Sequence, residues 1–384
     1  MIEAEHVLAV REQLRRFVDQ HMPRDAVGAW DRTNHFPRDV FAALAELGVM
    51  GTTIPEEYGG TGRDIVLTMA IIEELARRSM AVAVPYLMCT CYGGMNIVEC
   101  GSDAQKKHLL PRLAKGEILF AYGLTEPDVG ADLASVRTRA ERKGDVVVVN
   151  GAKRFCSGAD ISDYIYTLVR TGKPDERHRN LTLLLIPPSA AGVTITRIEP
   201  MGMRGVATTD VTFADVEIPA DNIVGGEAGW NTAWPMLSGP GLEVERLEAA
   251  ALALGLAEAA ADDAWKYSQE RVQFGRPICR NQSIRHLLAD ARTQLFAARL
   301  VLYEAARLAD ANLPCGVQSA MAKLFVCETA KKVALDCQTI FGAYGLIEGF
   351  DIERYVRDAL VLPIVGGSSA IQRNNIVKQL GLPA

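Results

Sequence analysis

No two cysteines in this chain have the CxxC spacing of a redox or zinc motif, and none falls in a Cys/His cluster with ligand spacing, although eight cysteines are present. That excludes a recognisable structural metal site and points to free thiols in a reducing compartment. Positive charge is also short: Lys and Arg number 41 against 47 Asp and Glu, for a formal net charge of −6. With a pI near 5.7 the chain lacks the basic face that nucleic acid or an anionic membrane requires. A local basic pocket for a phosphorylated ligand stays possible. The N-terminus, Met1-Ile2-Glu3-Ala4-Glu5, is acidic and unlike a secretory leader. No apolar run is expected to reach the ~20 residues of a membrane span. The Ala-rich stretch from Ala249 to Ala261 is interrupted by Glu258 and flanked by Glu248 and Asp262. Sequence repeats and low-complexity linkers are missing too. These absences lead to an expected cytoplasmic protein with no membrane and no nucleic-acid partner.

What is present is an ordinary globular composition, 49% hydrophobic and 23% charged. At 384 residues the chain exceeds a single hydrophobic core, which stops growing at roughly 250–300 residues, so two or three units are expected. Residues 1–120 have helical period. Phe41, Leu44, Ala45 and Leu47 form a stripe after Pro37 that stops at Gly48, a second helix runs from about Asp64 to Arg78, and Ser102-Asp103-Ala104-Gln105 is a capping box. Residues 121–230 turn to β texture. Val146–Val149 runs into Asn150-Gly151, a strong hairpin signal, and Asp163–Arg170, Leu181–Ile186, Val193–Ile198 and Asp210–Ile218 read as further strands, rich in Val, Ile and Thr. No helix interrupts them for long, so an antiparallel barrel or sandwich is expected. Residues 231–384 return to helix, with candidates Leu242–Arg271, Gln282–Ala311, Val317–Phe341 and Ile371–Leu380. The expected class is therefore multi-domain α+β: an N-terminal helical domain, a middle antiparallel β-barrel and a C-terminal four-helix bundle.

Function must come from local motifs. Ala121-Tyr122-Gly123-Leu124-Thr125-Glu126-Pro127-Asp128-Val129-Gly130-Ala131-Asp132 lies where helix gives way to strand. Its small residues admit a flat ligand close to the backbone, and Thr125 offers a hydrogen bond; read from the residues alone it is equally an ordinary loop. The segment resembles the LTEPxxGSD signature of the acyl-CoA dehydrogenase flavoproteins, a likeness that continues over nearly the whole chain. Asn150-Gly151-Ala152-Lys153-Arg154-Phe155-Cys156-Ser157 is similar to the family's NGxKxWITN strand, with Phe155 and Ser157 at its Trp and Thr positions. Glu270-Arg271-Val272-Gln273-Phe274-Gly275-Arg276-Pro277 is similar to ERxQFGxPI. The stretch Phe341-Gly342-Ala343-Tyr344-Gly345 resembles QxxGGxGY, with Thr339 in place of the usual Gln and Ala343 in place of the second Gly.

The resemblance implies FAD as cofactor, contacted by Leu124, Thr125, Gly130, Ala131, Phe155, Ser157, Thr339, Gly342 and Ser368. Arg271 and Phe274 are expected to reach the FAD of a neighbouring subunit, a guanidinium fork suiting a diphosphate. It implies further a homo-oligomer (a tetramer), an acyl-CoA substrate and an electron-transfer flavoprotein or similar acceptor.

Ile364-Val365-Gly366-Gly367-Ser368-Ser369-Ala370-Ile371-Gln372-Arg373 resembles the family's IYEGTSEIQR, in which Glu is most often the catalytic base; here Gly366 holds that place. A second carboxylate is at hand in Leu242-Glu243-Val244-Glu245-Arg246-Leu247. This resembles the LxxERL segment of isovaleryl-CoA dehydrogenase, where the base sits on this helix. The resemblance implies that Glu245 removes the α-proton and that the Gly366 backbone N–H holds the thioester carbonyl. Arg246 and Gly367 are expected beside the substrate, Arg246 holding either structure or the CoA tail. Glu243 and Glu248 compete with Glu245, Glu243 from a different face and Glu248 from a nearer one. The missing side chain at Gly366 leaves room for a short or branched acyl group. Two other readings stay open: different chemistry on the same fold, such as a flavin monooxygenase, nitroalkane oxidase or enoyl-CoA reductase, and a non-catalytic partner subunit.

Overall fold

The computed structural model describes residues 3–382. The N-terminal part is helical: α1 (Glu5–His21), α2 (Arg24–Thr33), α3 (Arg38–Glu46), α4 (Ile65–Ala76), α5 (Met80–Leu87), α6 (Asn96–Cys100) and α7 (Asp103–Ala114), with a π-helical stretch over Met88–Met95. In α1 the buried set Val7, Arg11, Leu14, Phe17 and Val18 recurs at helical spacing, so one stripe faces the core. Gly48 stops α3 at φ 74°, and the Asp64 carboxylate caps α4 by accepting from the Leu67 N–H at 2.7 Å. The capping box at Ser102 and Gln105 is present. Gln105 also donates to the Asp221 and Ile223 carbonyls, tying α7 to the middle part.

Sequence inspection overlooked one element. The continuous helical stretch Met80–Cys100 is long and apolar enough to cross a membrane, against the expectation that no run would be. Its apolar window is 89% buried within the protein, as befits a central core helix.

The middle part is one sheet of β1 (Phe120–Gly123), β2 (Arg139–Lys143), β3 (Val146–Lys153), β4 (Tyr164–Arg170), β5 (Leu181–Ile186), β6 (Val193–Ile198) and β7 (Thr208–Pro219), in the order β1-β4-β2-β3-β7-β6 with β5 also on β4. It departs from expectation in three ways. The curled sheet is not a closed barrel, because β6 finds no pairing with β1 or β5 among the described residues. It is not purely antiparallel, because β1 runs parallel to β4. The Asn150-Gly151 step is no hairpin turn: β3 runs straight through it, with a bulge between Val149 and Gly151 against β7. The hairpin instead lies at Gly144-Asp145, between the paired Lys143 and Val146. Gly151 is required for a different reason, since a Cβ there would come within 2.6 Å of Thr138 Cα.

The C-terminal part contains α8 (Ala233–Leu237), α9 (Pro240–Glu270), a two-strand ribbon of β8 (Val272–Gln273) and β9 (Arg276–Pro277), α10 (Gln282–Asp310), α11 (Gly316–Phe341), α12 (Asp351–Val361) and α13 (Ser369–Gln379). Three long helices pack together, and α12 and α13 lie on α11; α4 packs on α9 and α10, so the bundle is completed from the N-terminal part and not by a fourth long helix. Small residues make this possible: a Cβ at Gly255 of α9 would sit 2.2 Å from the Glu73 carbonyl of α4. Charges are buried in pairs across the same seam, where Arg11 donates to Glu73 and Glu74 and Arg299 to Glu73.

Candidate active site

Two motifs that lie about 30 residues apart are welded together. The Lys153 ammonium, fully buried, donates to Glu126 Oε1 at 2.8 Å and to the Leu124 carbonyl at 3.1 Å. Glu126 also accepts from the N–H groups of Arg137 and Thr138, and the Arg154 N–H donates to the Thr125 carbonyl at 2.8 Å. Burial alone would raise the Glu126 carboxyl, but Lys153 and these donors hold it below the usual range. The Leu124-Thr125 backbone is thereby fixed beside the strand end that carries Phe155 and Ser157. Neither Glu126 nor Lys153 entered the expected site, although both are motif residues, because their work is positioning.

Phe155 is 59% exposed and adopts φ 58°, an unusual backbone state for an aromatic residue, with the Arg154 guanidinium 5.3 Å from its ring centre. An apolar ring held in a strained turn and left facing solvent fits a flat aromatic ligand such as a flavin. Gly130 and Ala131 lie exposed in the loop beyond Thr125, with open space around Gly130.

A second pair of motifs meets elsewhere. The Arg271 guanidinium lies 5.3 Å from the Tyr344 ring centre, and Tyr267 stacks on Phe341 at 4.2 Å. Phe274, 97% exposed at φ 51°, tips the β8–β9 ribbon. Gly342 ends α11 at φ 60°, ψ −137°, a conformation essentially restricted to glycine. Thr339 is exposed but its hydroxyl donates to the Leu335 carbonyl of its own helix, and the Ser368 hydroxyl accepts from the Ile371 N–H as the α13 cap. Within one chain no hydrogen bond among the described residues joins this half to the Thr125–Phe155 half.

The carboxylate centre forms at the start of α9. Gly366, at φ 61°, lies against Ala249, where a Cβ would be 3.8 Å from the Ala249 Cβ. Ala249 is one turn beyond Glu245 and shares its face. The Gly366 N–H donates to no acceptor among the described residues, while the Gly366 and Gly367 carbonyls both accept from Gln372 Nε2. Glu245 is half-buried, and burial pushes its carboxyl up to about 7 against the opposing charges of Arg246 and Lys323. Tyr122 of β1, two residues before Leu124, feels the Glu245 charge, which brings the start of α9 to the edge of the first motif. The Tyr122 ring lies against Tyr92, tilted by 37° with ring centres 3.5 Å apart, and its hydroxyl accepts from Asn96 Nδ2 at 2.7 Å. Arg246 is buried, and burial pulls its guanidinium down while Glu243 and Glu245 oppose that shift.

The two competing carboxylates are otherwise engaged. Glu243 accepts from Cys315 Sγ at 3.1 Å, on the side facing the start of α11. Glu248 is fully buried, accepts from Thr90 Oγ1 at 2.9 Å, and is pushed far above the carboxylate range chiefly by burial, with Glu245 adding to it. Burial thus disfavours its charged form, and its Oε1 is already engaged by Thr90. A surface cavity of about 550 Å³, lined by Arg24, Asp263, Tyr267, Phe350 and Arg354, opens well away from this centre and includes none of the expected site residues.

Comparison with known proteins gives a concordant result. Residues 4–117, 121–216 and 234–381 match models described as acyl-CoA dehydrogenase N-terminal, middle and C-terminal domains. The chain is 37% identical over 380 residues to an acyl-CoA dehydrogenase of Bacillus subtilis (strain 168), covering 98% of this chain and 99% of that one. It superposes with a TM-score of 0.93 on a glutaryl-coenzyme A dehydrogenase solved with glutaryl-CoA, at 34% identity and with 100% and 97% of the two chains covered. The butyryl-CoA dehydrogenase of Megasphaera elsdenii also gives 0.93, at 30% identity and 99% coverage of both.

Proposed function

The chain belongs to the acyl-CoA dehydrogenase family, and from that premise we propose that Glu245 is the base that removes the α-proton of its acyl-CoA substrate. The family activity is FAD-dependent α,β-dehydrogenation of an acyl-CoA thioester. One observation carries the assignment. The glycine standing where the family usually has its base packs against α9 one turn from Glu245, a desolvated carboxylate whose pKa is pushed up to about 7.

FAD, when bound, would supply the oxidant for the β-hydrogen and its electron pair. The chain's own residues do the rest. Glu245 accepts the α-proton, and its raised pKa makes it a base matched to neutral pH. Gly366 offers its free N–H to the thioester oxygen as enolate charge grows; a donor in such a position is worth about 3–4 kcal/mol. A backbone N–H does not depend on a side chain, so the carboxylate can reside on α9 without loss of this donor. Leu124, Thr125, Gly130, Ala131, Phe155 and Ser157 hold the isoalloxazine end. Arg271 and Phe274, with Thr339, Gly342 and Ser368, belong to the other end of the cofactor, supplied across a homo-oligomer (a tetramer). The separation of the two halves within one chain supports this, as do exposed Phe296 and Leu300 on α10 and Met321 and Phe325 on α11. Arg246 and Gly367 flank the substrate. The acyl group is short or branched, because Gly366 leaves space and Tyr92 and Tyr122 stand close to the base. An electron-transfer flavoprotein is the acceptor class, and eight unpaired thiols suit a reducing cytoplasm.

The test is anaerobic bleaching of the purified yellow holoenzyme by a panel of straight-chain and 2- or 3-methyl acyl-CoA thioesters. Bleaching by short or branched members supports the reading. Preference for long straight chains would reject the pocket assignment, and no bleaching by any thioester would reject the activity.

A further inference from the structure

Lys323 is a fully buried lysine in the first third of α11 that no motif singled out. Its ammonium donates to the Leu362 carbonyl at 2.9 Å, at the C-terminal end of α12. A cation there is doubly suited, satisfying one of the orphan carbonyls and facing the negative end of the helix dipole. Leu362 opens the loop that leads to Gly366. The far end of the loop is held by the same helix, since the Ser369 hydroxyl donates to Glu328 Oε1 at 2.7 Å and Lys331 pairs with Glu328 Oε2 at 2.7 Å. The loop carrying Gly366 is therefore anchored to α11 at both ends.

Lys323 has a second relation to the site. No carboxylate forms a close ion pair with it among the described residues, and the anions that act on it are Glu328 of its own helix and Glu245 of α9. Burial lowers its pKa, and those carboxylates, after Cys327, oppose the shift. Reciprocally, Arg246 and Lys323 oppose the rise that burial imposes on Glu245.

We propose that Lys323 is a positioning residue for the dehydrogenation. It pins the loop that presents the Gly366 N–H, and it supplies a fixed positive charge that serves Glu245 before proton transfer and the thioester oxygen after it. This rests on the reading of Glu245 as base. As the α-proton moves to Glu245, negative charge leaves the carboxylate and appears on the thioester oxygen beside Gly366. A cation whose charge acts on Glu245 and whose ammonium is anchored to the loop leading to Gly366 serves both ends of this transfer, so it need not move as the charge does. The ionisable groups facing Glu245 are Arg246 and Glu248 on α9, Cys91 and Tyr92 on the π-helical turn, Tyr122 on β1 and Lys323 on α11. Of these, only Arg246 and Lys323 are cations.

The test measures exchange of the substrate α-hydrogen with D2O by mass spectrometry across pH, on FAD-loaded Lys323→Met, Lys323→Gln, Lys323→Arg and Glu245→Gln holoenzymes. Gln keeps a donor for Leu362 but no charge, Met keeps neither, and Arg keeps both. Because activity needs ionised Glu245, losing the cation should move the acidic limb to higher pH by about half a pH unit or more in the Gln and Met variants. That is about threefold slower exchange at pH values below the limb. Lys323→Arg should restore the limb, and Lys323→Met should lose exchange above the limb as well, through the loosened loop. If Lys323→Met fails to retain flavin, Lys323→Gln decides the electrostatic part. Limbs identical to the wild type in the neutral variants, with Glu245→Gln inactive, would overturn the proposal and leave the base in place. Exchange that survives in Glu245→Gln would overturn the base assignment itself.

Discussion

Replacing Glu245 by Gln isolates the step on which the chemistry turns, and the structure fixes two separate magnitudes for it. The first is kinetic. A positioned proton acceptor contributes up to about 10⁴-fold, so the Gln variant should reduce its flavin with acyl-CoA about 10⁴-fold more slowly than wild type. The wild-type kcat/KM should rise tenfold per pH unit and level off near 7, where the folded carboxyl titrates. The second is thermodynamic. The rise from 4.5 to about 7 corresponds to about 3 kcal/mol, at about 1.4 kcal/mol per pH unit. A carboxyl raised on folding contributes stability that is complete below its unfolded pKa and lost as pH climbs through its folded one. The neutral Gln avoids that loss. Wild type and variant should therefore unfold alike near pH 4.5, and the variant should be the more stable at pH 8. The difference has an upper limit of about 3 kcal/mol and is smaller where the remaining solvent access screens the charge. Stopped-flow flavin reduction reads the first magnitude and the melting temperature at the two pH values reads the second. A kinetic loss under tenfold, or a variant no more stable than wild type at pH 8, refutes the picture of a desolvated base at this position.

Moving the carboxylate back offers a complementary check: Glu245→Gly combined with Gly366→Glu should recover measurable flavin reduction relative to Glu245→Gly alone, because position 366 lies against the same turn of α9. Recovery should be incomplete, since φ 61° strains any residue with a Cβ by roughly 1–2 kcal/mol. Lys153→Met leaves Glu126 buried without its cation, which should lower stability by about 3–5 kcal/mol and release flavin; a normal melting temperature with full flavin content argues against the weld between the two motifs. Phe274→Ala alters a side chain that touches little within its own chain, so the isolated fold should keep its melting temperature once flavin is removed. The holoenzyme should lose flavin and shift towards smaller species in gel filtration.

The sequence by itself determined the helix–sheet–helix order, most of the strand positions and the identity of the chemistry. The order and the strand positions depend on local signals, apolar periodicity and caps such as Ser102 and Gln105, whereas the chemistry entered through the resemblance of the motifs to the acyl-CoA dehydrogenase flavoproteins. Where a local signal had two physical solutions, the sequence misled. Asn150-Gly151 serves a hairpin turn or a bulge equally well, and only pairing with β7 made it a bulge. Met80–Cys100 has the composition of a membrane span or of a core helix, and only its neighbours made it a core helix. Barrel closure and a fourth long bundle helix were wrongly expected for the same reason, since both depend on contacts between distant segments. Three carboxylates within six residues of α9 look alike in the sequence. Tertiary packing alone separates them, turning Glu243 towards Cys315, enclosing Glu248 against Thr90 and setting Glu245 one turn from the residue that rests on Gly366. A pKa is a property of surroundings, and those surroundings are assembled from four different parts of the chain.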